Sequence, residues 1–95
     1  MVNEWDGKLK IDEENGAVLA PMVAAGSKNK DNKFSGVLMG DWKDNNDGSI
    51  KETGLYGFHN GNMSFGFKES GTAFIGKSGH GRIHFNGDKG AIYSD

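Results

Sequence analysis

The chain has 95 residues, room for one domain at most, with 35% hydrophobic residues, 16 glycines and a formal net charge of −2. It holds no cysteine, which excludes disulfides and thiolate metal sites, and its 11 basic and 13 acidic residues are mixed with no basic stripe to track a phosphodiester backbone. A chain this short and this poor in apolar residues closes only a small core by itself, which points to surface borrowed from a partner or from copies of itself.

The first residues lack the basic start and apolar run of a signal peptide, so no secretory route is expected. Residues 8–12, KLKID, alternate polar and apolar, the pattern of a half-buried strand, and "EENG" closes it as a turn. The run from Gly16 to Gly26 is the longest apolar stretch, far short of the roughly 20 residues that cross a bilayer, so no membrane insertion is expected. Pro21 lies in its middle, removing a donor and clashing with a preceding helical turn. The stretch from Ala17 to Ala25 is therefore predicted to be extended and buried against neighbours. A polar loop, "SKNKDNK", then leads into "FSGVLMGDW", a strand of about seven residues.

Residues 41–49, DWKDNNDGS, carry the acids and amides of a calcium loop. An EF-hand needs an acid or amide at its first position and Glu at its twelfth. Placing Gly48 at the sixth position puts Lys43 first and Gly54 twelfth, so both end ligands fail. A solvated turn is the better reading.

From Leu55 onward the chain keeps a ten-residue clock. Glycines stand at 61, 71 and 81 and again at 66 and 76. Met63, Ala73, Ile83 and Tyr93 fall in one column; Leu55, Phe65, Ile75 and Phe85 fall in another. The columns are two residues apart, so within a unit both point to the same side of a strand. Each unit ends in turn chemistry, "KESG", "KSGHG" or "NGDKG". Short strands of about five residues joined by Gly-rich turns are predicted, all-β and without a helix. Two foldings satisfy the period: an antiparallel meander, or three chains wound together with one strand each per layer. Both leave one apolar face that a chain this small cannot cover, so both predict self-association.

Residues 71–78, GTAFIGKS, match the phosphate-loop pattern G-x-x-x-x-G-K-S without a mismatch. A working phosphate loop opens a helix immediately after its Lys-Ser pair, because that helix N-terminus aims N–H groups at the phosphates. Here the pair is followed by "GHGRIHFNG" with no helical period, and the glycine spacing belongs to the repeat. The match is a decoy, and no cofactor is expected.

Three histidines, His59, His80 and His84, invite a metal reading. His80 and His84 are four apart, a ligand pair on a helix but not along a strand with Gly81 between them. His84 lies within a predicted strand and is the candidate for a cluster on a trimer axis, one imidazole per chain; surface exposure is the plainer reading. No nucleophile elbow is present, and Glu52, Glu69 and Asp88 fall where solvated turns are expected, so no catalytic residue is assigned. Trp5, Trp42 and Tyr56 lie outside the clean columns. Trp42 and Tyr56 are candidates for stacking on a sugar; packing at the end of the repeat is the plainer alternative.

The ordered phrases "FSGVLMGDW", "TGLYGFHNG" and "SFGFKESGTAFIGKSGHGRIHFNGD" resemble segments of large tail proteins from bacteriophages and prophages of Gram-positive hosts, over roughly Ile11 to Asp95. The resemblance implies a homotrimeric virion component of the tail tip, baseplate or fibre, made in the bacterial host cytoplasm. It implies an intertwined β-shaft, either a triple-stranded β-helix or a β-prism of meanders. Residues 1–54 would be an N-terminal β segment with two polar loops and 55–95 the repeat shaft, together one domain of a larger protein. Its partners would be itself, other tail proteins and host-surface carbohydrate. Leu55, Met63, Phe65, Ala73, Ile75, Ile83 and Phe85 would form the assembly core. A carbohydrate-binding module for host cell-wall polysaccharide is the alternative function.

Overall fold

Side chains of a strand point alternately to the two faces of a sheet, so a chain with alternating pattern and frequent turns folds most directly as a meander. The computed structural model describes residues 2–43 and 50–95. Among them are nine strands: β1 (Lys10–Asp12), β2 (Ala17–Leu19), β3 (Met22–Lys28), β4 (Phe34–Lys43), β5 (Ile50–His59), β6 (Asn62–Lys68), β7 (Thr72–Ile75), β8 (Ile83–Asn86) and β9 (Ala91–Ser94). One 3-10 turn, Val2–Glu4, precedes them. Strands β1 and β2 pair as a hairpin, and β3 to β9 form one antiparallel sheet in strict sequence order. The chain is all-β.

Each hairpin has a local cause. At the β5–β6 turn Asn60 and Gly61 both take positive φ, 48° and 81°, the backbone of a tight turn whose twist matches the flanking strands. That turn is tied to β4, because Asn60 N–H donates to Ser35 Oγ at 2.9 Å and Gly61 N–H to the Phe34 carbonyl at 2.8 Å. At the β3–β4 turn Asn29 Oδ1 accepts from the Asp31 and Lys33 amides at 2.9 and 3.0 Å. At the β8–β9 turn Asn86 Oδ1 does the same for Asp88 and Lys89, at 3.1 and 3.2 Å. The turn predicted at "EENG" is closed by Gly16 N–H and the Glu13 carbonyl.

The sheet is a single layer. A compact domain of this length has a radius of gyration of about 12 Å; here it is 15.4 Å. Leu19, Tyr56 and Phe74 are the buried hydrophobic side chains among the described residues. Two expectations of burial therefore fail. Leu9 and Ile11 are exposed beside and within β1, and every residue of β3 is exposed along the sheet edge. Pro21 does keep this region extended, and its carbonyl accepts from the Asp41 amide at 2.8 Å. The strand predicted over "FSGVLMGDW" runs ten residues, and the proposed division at 54/55 falls inside β5, so one sheet spans both segments.

Strands β4 to β8 have both edges filled by neighbours of their own chain. The meander is the folding the chain adopts, and the positions that a triple-wound helix would give to three chains are occupied by one.

Candidate functional site

Register decides which side chains meet, since residues directly opposite in neighbouring strands share a face. One cross-strand row runs Val23, Met39, Leu55, Phe67, Ala73, Phe85, Ile92. The next row on the same face runs Ala25, Val37, Gly57, Phe65, Ile75, Ile83. These twelve apolar side chains and one glycine span all seven strands without a charge. Polar residues flank the rows at both ends of that face, Ser27 opposite Ser35 at one and Thr53 opposite Asp41 at the other. Thr53 Oγ1 donates to Asp41 Oδ1 at 2.7 Å, and Ser94 closes the second row opposite Ile83. Many of the row members are open to solvent: Phe67 is 48% exposed, Ile75 49% and Ile83 44%. Such a patch marks an interaction surface rather than an ordinary exterior.

Six of the seven residues assigned to assembly, Leu55, Phe65, Ala73, Ile75, Ile83 and Phe85, lie on this face. Met63 does not. The register shifts between Gly57 and Phe58, so Phe58 pairs with Met63 while Gly57 pairs with Phe65, and Met63 moves to the opposite face. Tyr93 also leaves its column, pairing with His84 on the other face while Ile92 takes the apolar position.

The opposite face holds an aromatic centre under an ionic cover. Tyr56 (1% exposed) and Phe74 pack their rings over Gly66. The Arg82 guanidinium sits 4.1 Å from the Phe74 ring centroid and Lys68 Nζ 5.9 Å from it. Lys68 Nζ lies 2.8 Å from Glu52 Oε2, and the Tyr56 hydroxyl donates to the same carboxylate at 3.4 Å. Arg82 Nε also donates to the Gly76 carbonyl at 2.9 Å, closing the β7–β8 loop. His84 stacks on Tyr93 with centroids 4.9 Å apart, and its Nε2 lies 2.8 Å from Asp95 Oδ1. That hydrogen bond holds the Asp95 carboxyl below the usual carboxylate range.

Burial pushes the Tyr56 hydroxyl up to about 12, and the Glu52 charge beside it adds to the rise. The fold thus favours the protonated phenol. Its contribution to stability is whole below about pH 10, where an unfolded tyrosine ionises. It is lost as pH rises from there through about 12. In an alkaline titration followed by tyrosinate absorbance, one step is expected to wait until the sheet unfolds, and Tyr56→Phe should remove it. A Tyr56 step complete near pH 10 in a folded chain would overturn this.

The remaining sequence candidates fall as follows. Tyr56 offers no ring face to a sugar. The side chain of Trp42, and residues 44–49 of the calcium candidate at 41–49, lie outside the described residues. Trp5 is half-buried, with its indole N–H donating to the Lys8 carbonyl at 2.6 Å. Thr72–Ile75 form β7 and the Lys-Ser pair enters a turn, with His80 N–H donating to the Lys77 carbonyl at 3.1 Å, so the phosphate-loop residues neither curl nor start a helix. His59, the last residue of β5, and His80, in a turn, are both exposed. His84 is in a strand as expected, but on the face opposite Leu55 and Ile75, so copies that bury the apolar face turn His84 away from any shared axis. Among the described residues no three His, Cys, Asp or Glu side chains gather as a metal site. Glu52, expected in a solvated turn, is a strand residue paired with Lys68. Glu69 and Asp88 are exposed.

Sequence reasoning missed Lys68, Phe74, Arg82 and Asn86, which sit between the apolar columns. The usable signal was their even numbering beside the odd-numbered repeat positions. No known protein family, curated protein or solved structure matches the chain.

Proposed function

We propose that the chain is a structural segment of a phage-tail assembly, a homotrimeric β-prism in which three copies of the sheet turn their apolar faces inward. The uncovered apolar face across all seven strands carries this reading. Strands lie about 4.8 Å apart, so the six spacings between seven of them extend about 29 Å. Stacked along a shaft, they would make each apolar row a line parallel to the axis. A face of that extent is comparable to the roughly 800 Å² that each partner buries in a stable interface. Burying a large apolar side chain completely is worth about 1.5–3 kcal/mol, and the half-exposed rows retain a good part of that for assembly. The neutral rows suit contact with an identical face, since they bring no like charges together.

In this reading the protein is mechanical rather than catalytic. The prism is a rigid connector of the virion, made in the host cytoplasm, with other tail proteins meeting its ends. Its outward surfaces would present host-attachment contacts in threes. Light scattering on a sizing column across a range of concentrations tests it. A constant mass of three chains is expected; a stable folded monomer would sink the prism.

A further inference from the structure

A cleft of about 170 Å³ opens on the Tyr56 face, lined by Lys68, Thr72, Phe74, His84, Asn86 and Tyr93. We infer that this cleft binds the ring of a neutral sugar, a single pyranose. Its ionisable side chains already have partners, Lys68 with Glu52 and His84 with Asp95, each pair at 2.8 Å. An ionic ligand would have to break one of these pairs. A neutral polyol would not.

The polar groups left over are those a sugar uses. Asn86 Oδ1 is held by the Asp88 and Lys89 amides, which fixes the amide plane and commits Nδ2 to the role of donor. Thr72 stands directly opposite Asn86 across the β7–β8 ladder, so a hydroxyl and an amide share one edge of the cleft. On the other edge the Tyr93 ring, 52% exposed, is braced by its stack on His84. A rigid aromatic beside fixed donors is the usual composition of a site for a ligand with one apolar face and a hydroxyl rim. Drug-sized ligands fill about 300–1,000 Å³; this cleft is sized for one ring. The site is complete within one chain. Ala73 and Phe85 of the apolar rows also border the cleft, but the residues it uses, Thr72, Asn86 and Tyr93, lie in register with the opposite face, so it stands whether or not copies assemble.

The test is titration of the isotope-labelled chain with methyl glucoside, methyl galactoside and methyl N-acetylglucosaminide, followed by amide chemical shifts. At least one is expected to bind with a Kd on the order of 1 mM, moving the amides of residues 72, 86 and 93 and leaving those of Val37 and Met39 unmoved. Asn86→Asp keeps the acceptor that holds the turn and removes the donor; Thr72→Val keeps the shape and removes the hydroxyl. Each is expected to weaken binding by about tenfold, the scale of one lost hydrogen bond, with the sheet's spectrum otherwise retained. Failure of all three glycosides to move these amides overturns the proposal. So does binding that both variants leave intact, or a stronger response to inorganic phosphate than to any glycoside.

Discussion

If the chain assembles as the proposed prism, Ile75→Asp is expected to leave a folded monomer in place of three copies. Ile75 lies mid-row between Phe65 and Ile83 and is 49% exposed in the single chain. A carboxylate there stays hydrated while the chain is alone, so the isolated sheet loses little. In a closed apolar interface the same carboxylate has no partner, and an unpaired buried charge costs several kcal/mol even after relaxation. Three such charges around one axis also repel. A loss of even about 4 kcal/mol is roughly a thousandfold in an association constant. Light scattering reads the mass and circular dichroism checks the fold. Ser78→Asp, in an exposed turn, is the control and should assemble normally. An Ile75→Asp chain that keeps the parent mass would show that this face is not the interface.

Gly66→Val is expected to destabilise the sheet itself, although valine is a good strand residue. A Cβ at Gly66 would lie 2.6 Å from the Phe74 ring and 2.9 Å from the Tyr56 ring. Those are two of the three buried hydrophobic side chains described, and Phe74 is further held under Arg82. Strand propensity spans about 1 kcal/mol in favour of the change. Overpacking typically costs about 1–3 kcal/mol, and here both rings must move. Packing wins, for a net loss of about 1–2 kcal/mol. Since 1 kcal/mol shifts the Tm of a domain this size by roughly 4–8 °C, a fall of about 10 °C is expected in a melt followed by circular dichroism. A variant that melts with the parent would mean that the rings do not close over Gly66.

The same two positions show what the sequence could reveal. Ile75 was legible because alternation is a local property: Ala73 and Ile75 share a face within β7, Ile83 and Phe85 share it within β8, and Leu55 and Phe65 fall on that same face. The cross-strand partners were not. Columns ten residues apart suggest like beside like, yet antiparallel pairing sets Phe65 against Ile75 and Phe67 against Ala73. A single extra residue opposite the Gly57–Phe58 step sends Met63 to the far face, and no period announces such a shift. Burial in the first half was not legible, because Leu9, Ile11 and β3 have the apolar pattern but no second layer to press against. The polar cleft was harder still. Asn86 and Thr72 look like ordinary turn and strand residues until the β7–β8 register sets them side by side.

Pairing in strict chain order has a consequence for how such a protein changes length. Each strand of the sheet touches only the one before and the one after, so the sheet has no centre that insertion would disrupt. Adding one strand lengthens it by about 4.8 Å but delivers the chain to the opposite side of the sheet. Adding two restores the exit side and preserves the assignment of both faces. A gene encoding this fold can therefore be lengthened or trimmed in whole hairpins, each worth about 9.6 Å, making duplication of some twenty codons a unit of measurement.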